Sequence, residues 1–125
     1  MNKRLLLIED DESIRFALHR YFERTGYTVQ CATELEEAEA LAVCDAYDLV
    51  IVDLSLSNEG SNEGLEIVRF VRRHCPSARL IVLTASPAPA IEHEAIRRGA
   101  HAFLLKPKPL AEIARTALHL MEGAA

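Results

Sequence analysis

A chain of 125 residues, 50% of them hydrophobic and 26% charged, has the balance of one folded domain around one core, not of a disordered tail. Its longest apolar runs, Leu5–Ile8, Leu49–Val52 and Leu80–Leu83, fall far short of the roughly 20 residues a membrane span needs. The formal net charge of −5 argues against non-specific binding of nucleic acid by this chain.

In chain order, Lys3 to Glu9 reads as a strand. The start, Met1-Asn2-Lys3-Arg4 followed by an apolar run, imitates a signal peptide. The run stops at Glu9-Asp10-Asp11-Glu12, too early for the roughly 7–15 residues of a secretory core. Asp11 to Thr25 is expected as a helix with Ile14, Leu18, Tyr21 and Phe22 on one face, stopped by Gly26. Tyr27 to Cys31 is a second strand. Thr33 is placed to cap a helix from Glu34 to Val43, with Glu36 at the capping-box position. Asp48 to Asp53 is a third strand, apolar almost throughout. A polar loop from Leu54 to Glu63 carries the only internal duplication, Ser57-Asn58-Glu59-Gly60 and Ser61-Asn62-Glu63-Gly64. Gly64 to His74 is helical, with Leu65, Val68, Phe70 and Val71 as a partial stripe. Arg79 to Thr84 is strand four. Pro87 or Pro89 opens a helix that Gly99 closes. Ala102 to Leu105 is strand five. Pro109 then opens a last helix to Met121, with Leu110, Ile113, Ala114, Ala117 and Leu118 inward.

This alternation predicts a single α/β domain over residues 1–125, a (βα)5 doubly wound parallel sheet with strand order 2-1-3-4-5. Cys31, Cys44 and Cys75 are odd in number and widely spaced, the pattern of unpaired thiols in a reducing compartment, and so of a cytoplasmic protein.

In such a sheet ligands sit at the carboxyl ends of the strands. Strand one ends in Glu9-Asp10-Asp11, strand three in Asp53, strand four in Thr84 and strand five in Lys106-Pro107. Adjacent strands lie roughly 4.8 Å apart, so these groups converge. Two carboxylates about 4 Å apart repel by roughly 4 kcal/mol at an effective dielectric of 20, so the rim calls for a cation. Oxygen ligands alone suit a hard ion such as Mg2+, or Mn2+. A phosphoryl group would complement the ion, the Lys106 ammonium and the Thr84 hydroxyl, with Asp53 as nucleophile. Taken singly, each residue has a plainer reading. Asp10 or Asp11 caps the first helix, Asp53 forms a turn, Thr84 is a β-branched strand residue and Lys106 is a surface charge.

The acidic run Glu9 to Glu12, the strand Asp48 to Asp53, Leu83-Thr84-Ala85 and the segment Gly99 to Pro107 together resemble the receiver domain of two-component response regulators (CheY-like), over essentially the whole length. The resemblance implies that Asp53 is the phosphoacceptor. It implies that Asp10, Asp11, Asp53 and the backbone carbonyl of Ser55 hold the metal, and that Lys106 contacts the phosphoryl group. It further implies a cis bond from Lys106 to Pro107, Thr84 and Phe103 as a switch pair, and Ser55 and Ser86 as tuners of phosphoryl lifetime. The implied donor is a sensor histidine kinase or a histidine phosphotransfer protein. The implied output face is helix four, strand five and helix five, serving a downstream protein, an output domain or a phosphorylation-dependent dimer. Two departures stand out. Ser57 replaces the family's usual proline, and the loop to Gly64 is longer by about three residues than this family resemblance leads one to expect.

Two other classes compete. A haloacid-dehalogenase-like phosphatase also passes through an aspartyl phosphate, but its DxD pattern follows the first strand, whereas Asp53-Leu54-Ser55 follows the third. A phosphorylation-independent pseudo-receiver scaffold usually lacks one of the site residues, and all are present here. His93-Glu94 is followed by Arg97 where a zinc site of HExxH type needs histidine. Arg69, Arg72, Arg73 and Arg79 read as a solvated helix face, and the five histidines as surface or packing residues.

Overall fold

A computed structural model describes residues 2–54, 63–85 and 88–122, with the backbone alone at Glu63. Five strands alternate with five helices: β1 Lys3–Ile8, α1 Glu12–Arg24, β2 Tyr27–Ala32, α2 Leu35–Cys44, β3 Leu49–Asp53, α3 Glu63–His74, β4 Arg79–Thr84, α4 Pro89–Arg98, β5 Ala102–Leu105 and α5 Leu110–Glu122. All strand pairs are parallel, in the order β2-β1-β3-β4-β5. No helix among the described residues is long and apolar enough to cross a membrane.

The strands are continuously apolar because both faces of the sheet are covered. Side chains alternate along a strand, so each strand feeds two cores. Leu6, Ile8, Val50, Val52, Leu80 and Val82 pack with residues of α2, α3 and α4 on one side. Leu5, Leu7, Leu49, Ile51, Ile81 and Leu83 pack with α1 and α5 on the other. Leu5 through Ile8 are fully buried, and each such side chain contributes about 1.5–3 kcal/mol.

Helix boundaries follow local chemistry. The Asp11 carboxylate accepts the Ile14 N–H at 2.9 Å and starts α1, and Gly26, at φ 101°, turns the chain out of it. Pro89 is the first residue of α4, and Gly99 closes that helix at φ 122°. A Cβ on Gly99 would also collide with the Arg72 side chain, which donates to the carbonyl of Pro76 at 3.0 Å. Two local expectations are corrected. Glu34, not Thr33, occupies the N-cap position of α2, and Glu37, not Glu36, reaches back to accept the Thr33 N–H at 2.8 Å. Leu118 is 50% exposed, because it follows buried Ala117 by one residue and so points about 100° away around the helix. The three cysteines are free: Cys75 is buried, Cys31 half-buried and Cys44 exposed.

His101 ties β4 to the start of β5. Its backbone N–H donates to the Leu80 carbonyl at 2.8 Å, and its Nδ1 accepts the Leu80 N–H at 3.0 Å. Its Nε2 lies 3.2 Å from Arg79 Nη1, so both ring nitrogens face N–H donors, which disfavours a second ring proton. Burial, then Arg72 and Arg79, hold its pKa below the ordinary 6.5. The folded state therefore resists protonation that the unfolded chain accepts, so the contribution is present above 6.5 and is lost as pH falls through the folded value. Urea unfolding on the acid side of 6.5 is expected to show a flatter pH dependence for His101→Gln than for the wild type.

Candidate functional site

The site lies at the carboxyl ends of the central strands, and the sheet register sets its members side by side. Ile8 pairs with Val52 and Asp53 with Leu83, so the residues just past β1 flank the last residue of β3. Backbone bonds extend the ladder beyond the strand ends: Glu9 N–H to Ala32 O at 3.0 Å, Leu54 N–H to Leu83 O at 2.9 Å and Lys106 N–H to Thr84 O at 2.7 Å. Each chemical group thus starts from rigid backbone.

Asp53 and Glu9 are both 1% exposed and Thr84 is 5% exposed. Lys106 Nζ stands 3.2 Å from Asp53 Oδ1 and 3.5 Å from Glu9 Oε1. Carboxylate oxygens of Glu9, Asp10 and Asp53 lie within 4.8 Å of one another. The crowding shows in Glu9, whose pKa is pushed from 4.5 up to about 8. Burial is the largest cause and the adjacent Asp53 carboxylate the next, while the Asp11 N–H and Lys106 pull the other way. The peptide bond from Lys106 to Pro107 is cis.

The acidic cluster differs from the expected one by one residue. Asp10 and Asp53 take part, but their third member is Glu9 and not Asp11. Asp11 is occupied otherwise: its carboxylate caps α1, and its N–H donates to Glu9 Oε2 at 3.2 Å. Glu9 was legible as the residue continuing the ladder of β1, but a buried glutamate runs against the rule that carboxylates stay in water. Ser55, Ser57 and Ser86 lie outside the described residues, as does the duplicated stretch as far as Asn62. Phe103 is half-buried against the α2–α3–α4 core, paired across the sheet with Val82. Thr84 follows on β4, opposite Leu105.

The donor set fits a hard divalent cation. It offers three carboxylates and no nitrogen or sulfur, and Glu9 Oε1 is buried without a hydrogen bond. One glycine shapes the approach. A Cβ on Gly64 would lie 2.7 Å from the Leu54 side chain and 2.9 Å from its Cα, so α3 begins hard against the residue after Asp53.

Residues 5–117 match the family model described as the response regulator receiver domain. The chain is 33% identical over 104 residues to the alginate biosynthesis transcriptional regulatory protein AlgB of Pseudomonas aeruginosa, covering 83% of this chain and 22% of AlgB. It is 31% identical over 117 residues to the photosynthetic apparatus regulatory protein RegA of Cereibacter sphaeroides, covering 94% of this chain and 62% of RegA. The chain therefore spans only part of the length of these relatives. A response regulator from Burkholderia pseudomallei, whose crystal structure holds a phosphorylated aspartic acid, a calcium ion and citrate, superposes with a TM-score of 0.84 at 31% identity, covering 98% of this chain and 73% of that one. A CheY-like receiver domain from Methanospirillum hungatei has the same fold, with a TM-score of 0.91 at 22% identity, covering 98% and 96% of the two chains.

Two outcomes follow from this geometry. With its pKa raised, Glu9 favours the folded state fully below 4.5, and that contribution is lost as pH rises through about 8. In a chelator, urea midpoints of the wild type are expected to fall across that window, and Glu9→Gln to flatten the fall. Gly64→Ala is expected to lose about 1–3 kcal/mol, an ordinary overpacking cost, read as a lowered urea midpoint with unchanged slope.

Proposed function

The chain belongs to the family of response regulator receiver domains, and on that footing we propose that Asp53 accepts a phosphoryl group from a histidine of a sensor kinase or phosphotransfer protein. The observation that carries this reading is the Lys106 ammonium 3.2 Å from a buried carboxylate that two further acids crowd. An Asp53 oxygen attacks phosphorus in line, the bond from phosphorus to the histidine nitrogen breaks, and the imidazole leaves with that electron pair. Lys106 balances charge on the phosphoryl oxygens, and Thr84, at the next strand end, donates a hydrogen bond to one of them. Glu9, Asp10 and Asp53 would hold Mg2+ or Mn2+, which supplies further charge neutralisation when bound. Phe103 would answer the movement of Thr84 and so alter the face made by α4, β5 and α5. That face would serve a downstream protein, an output domain or a second phosphorylated copy, with no nucleic acid contacted by this domain itself.

We read residues 1–125 as one receiver domain working in the cytoplasm, consuming one phosphoryl group per switching event and not turning over a separate substrate. Ser55 would lend a backbone carbonyl to the metal, and Ser55 and Ser86 would set the lifetime of the phosphoryl group. The phosphatase reading is not favoured, since the receiver-family match extends over residues 5–117, and the scaffold reading is not favoured, since Asp10, Asp53, Thr84 and Lys106 are all present.

Acetyl phosphate with Mg2+ is expected to add one phosphoryl group to the intact protein, seen by mass spectrometry, and none to Asp53→Ala. Lys106→Ala is expected to slow the reaction by about 10²–10³-fold, the usual effect of losing one charge-stabilising donor. Asp11→Asn is expected to keep the metal-dependent reaction, because its amide oxygen still caps α1, whereas Asp10→Asn is expected to lose it. A phosphoryl gain that persists in Asp53→Ala, or equal loss in both asparagine variants, would contradict these assignments.

A further inference from the structure

We propose that Arg15 is a positioning residue that fixes the loop carrying the metal acids, an assignment that rests on the reading of Glu9 and Asp10 given above. Arg15 lies on α1, one turn after the cap residue Asp11, and its own N–H donates to the Asp11 carbonyl at 2.9 Å. Its guanidinium turns back over the loop. Nη1 donates to the carbonyl of Glu9 at 3.1 Å and to that of Asp10 at 3.3 Å. Those two oxygens belong to the peptide planes on either side of Asp10, so holding both fixes the direction in which its side chain leaves the backbone. Asp11 closes the circuit through its N–H to Glu9 Oε2 and its carboxylate to the Ile14 N–H.

Helix physics does not account for a cation here. The N-terminal end of a helix carries partial positive charge, which disfavours a guanidinium. Arg15 is half-buried and makes no ion pair with an α1 acid among the described residues. Its two loop carbonyls are what it gains at this position, and a charged donor makes such bonds stronger than a neutral one. The loop it holds also carries like charge next to the site, since the Asp10 carboxylate lies beside that of Asp53. A loop free to move would let the carboxylates swing apart when no cation is bound. With Arg15 in place the three oxygens stay close, and the ordering cost of binding a cation is met by the fold in advance.

The test uses the whole chain in two arms. In the metal-free arm, amide hydrogen exchange at Asp11 is compared among the wild type, Arg15→Ala, Arg15→Lys and Arg20→Ala, the last being an exposed arginine on the same helix with no assigned role. Exchange is expected to quicken in Arg15→Ala, in part in Arg15→Lys, and not in Arg20→Ala. In the second arm, Mg2+ alone is titrated calorimetrically. The dissociation constant is expected to rise about 10- to 100-fold in Arg15→Ala, as for other residues that orient metal ligands, while saturating Mg2+ restores the wild-type extent of phosphorylation. An unchanged Asp11 exchange rate, an unchanged Mg2+ affinity, or a loss that Arg20→Ala shares overturns the proposal. Should the wild type bind Mg2+ in an Arg15-dependent way but take no phosphoryl group on Asp53, the functional reading fails and the positioning role stands.

Discussion

Three carboxylates within 4.8 Å of one another are a liability in any folded protein, and the arrangement of this one follows from containing them. Their mutual repulsion would be relieved by a small outward rotation of any one strand end. The sheet forbids that rotation. Leu5 through Ile8 and Leu49 through Val52 are fully buried in the two cores, and a shift would force each into space packed for a different side chain. The apolar strands therefore hold the acids together, and the acids in turn make the rim a place where a cation and a charged donor are welcome. Stability at one end of the strands is converted into chemical potential at the other.

The two cores divide the labour unequally. The α1–α5 side contributes the backbone carrying Glu9, Asp10 and Asp11, through the capping of α1 and the guanidinium of Arg15. The α2–α3–α4 side receives Phe103 and carries Ala95 of α4 in its core. The acids thus approach Asp53 from one flank, while Phe103 packs into the core on the other.

Much of this was legible in the sequence, because doubly wound folds place chemistry where buried strands end. The residues closing β1, β3, β4 and β5 led to Asp53, Thr84 and Lys106 without any structure. Strand ends were read well since apolar runs stop abruptly at polar residues. The misreadings share a cause. Asp11 and Glu9, Thr33 and Glu34, and Glu36 and Glu37 are neighbouring polar residues at a helix start, where composition is the same for a ligand, a cap and a solvated acid. Which role each takes depends on side-chain direction at single-residue resolution, and periodicity does not extend into such short links. Leu118 misled for the complementary reason: its apolar character agrees with burial, but its angle around the helix does not.

The contact between Gly64 and Leu54 bears on how such a domain changes over evolutionary time. Leu54 is bonded to β4 through its N–H, and Gly64 lies against its Cα, so the chain leaves Asp53 and returns to almost the same point. The ends of that excursion, Leu54 and Gly64, thus lie against each other. For such an excursion each doubling in length costs only about 0.6 kcal/mol of closure entropy. Insertions and duplications there, such as the tandem Ser-Asn-Glu-Gly motif, can accumulate at little cost to the placement of Asp53 on β3. Asp53 itself is held on β3, paired with Leu83 of β4, and that anchorage does not depend on how long the excursion is.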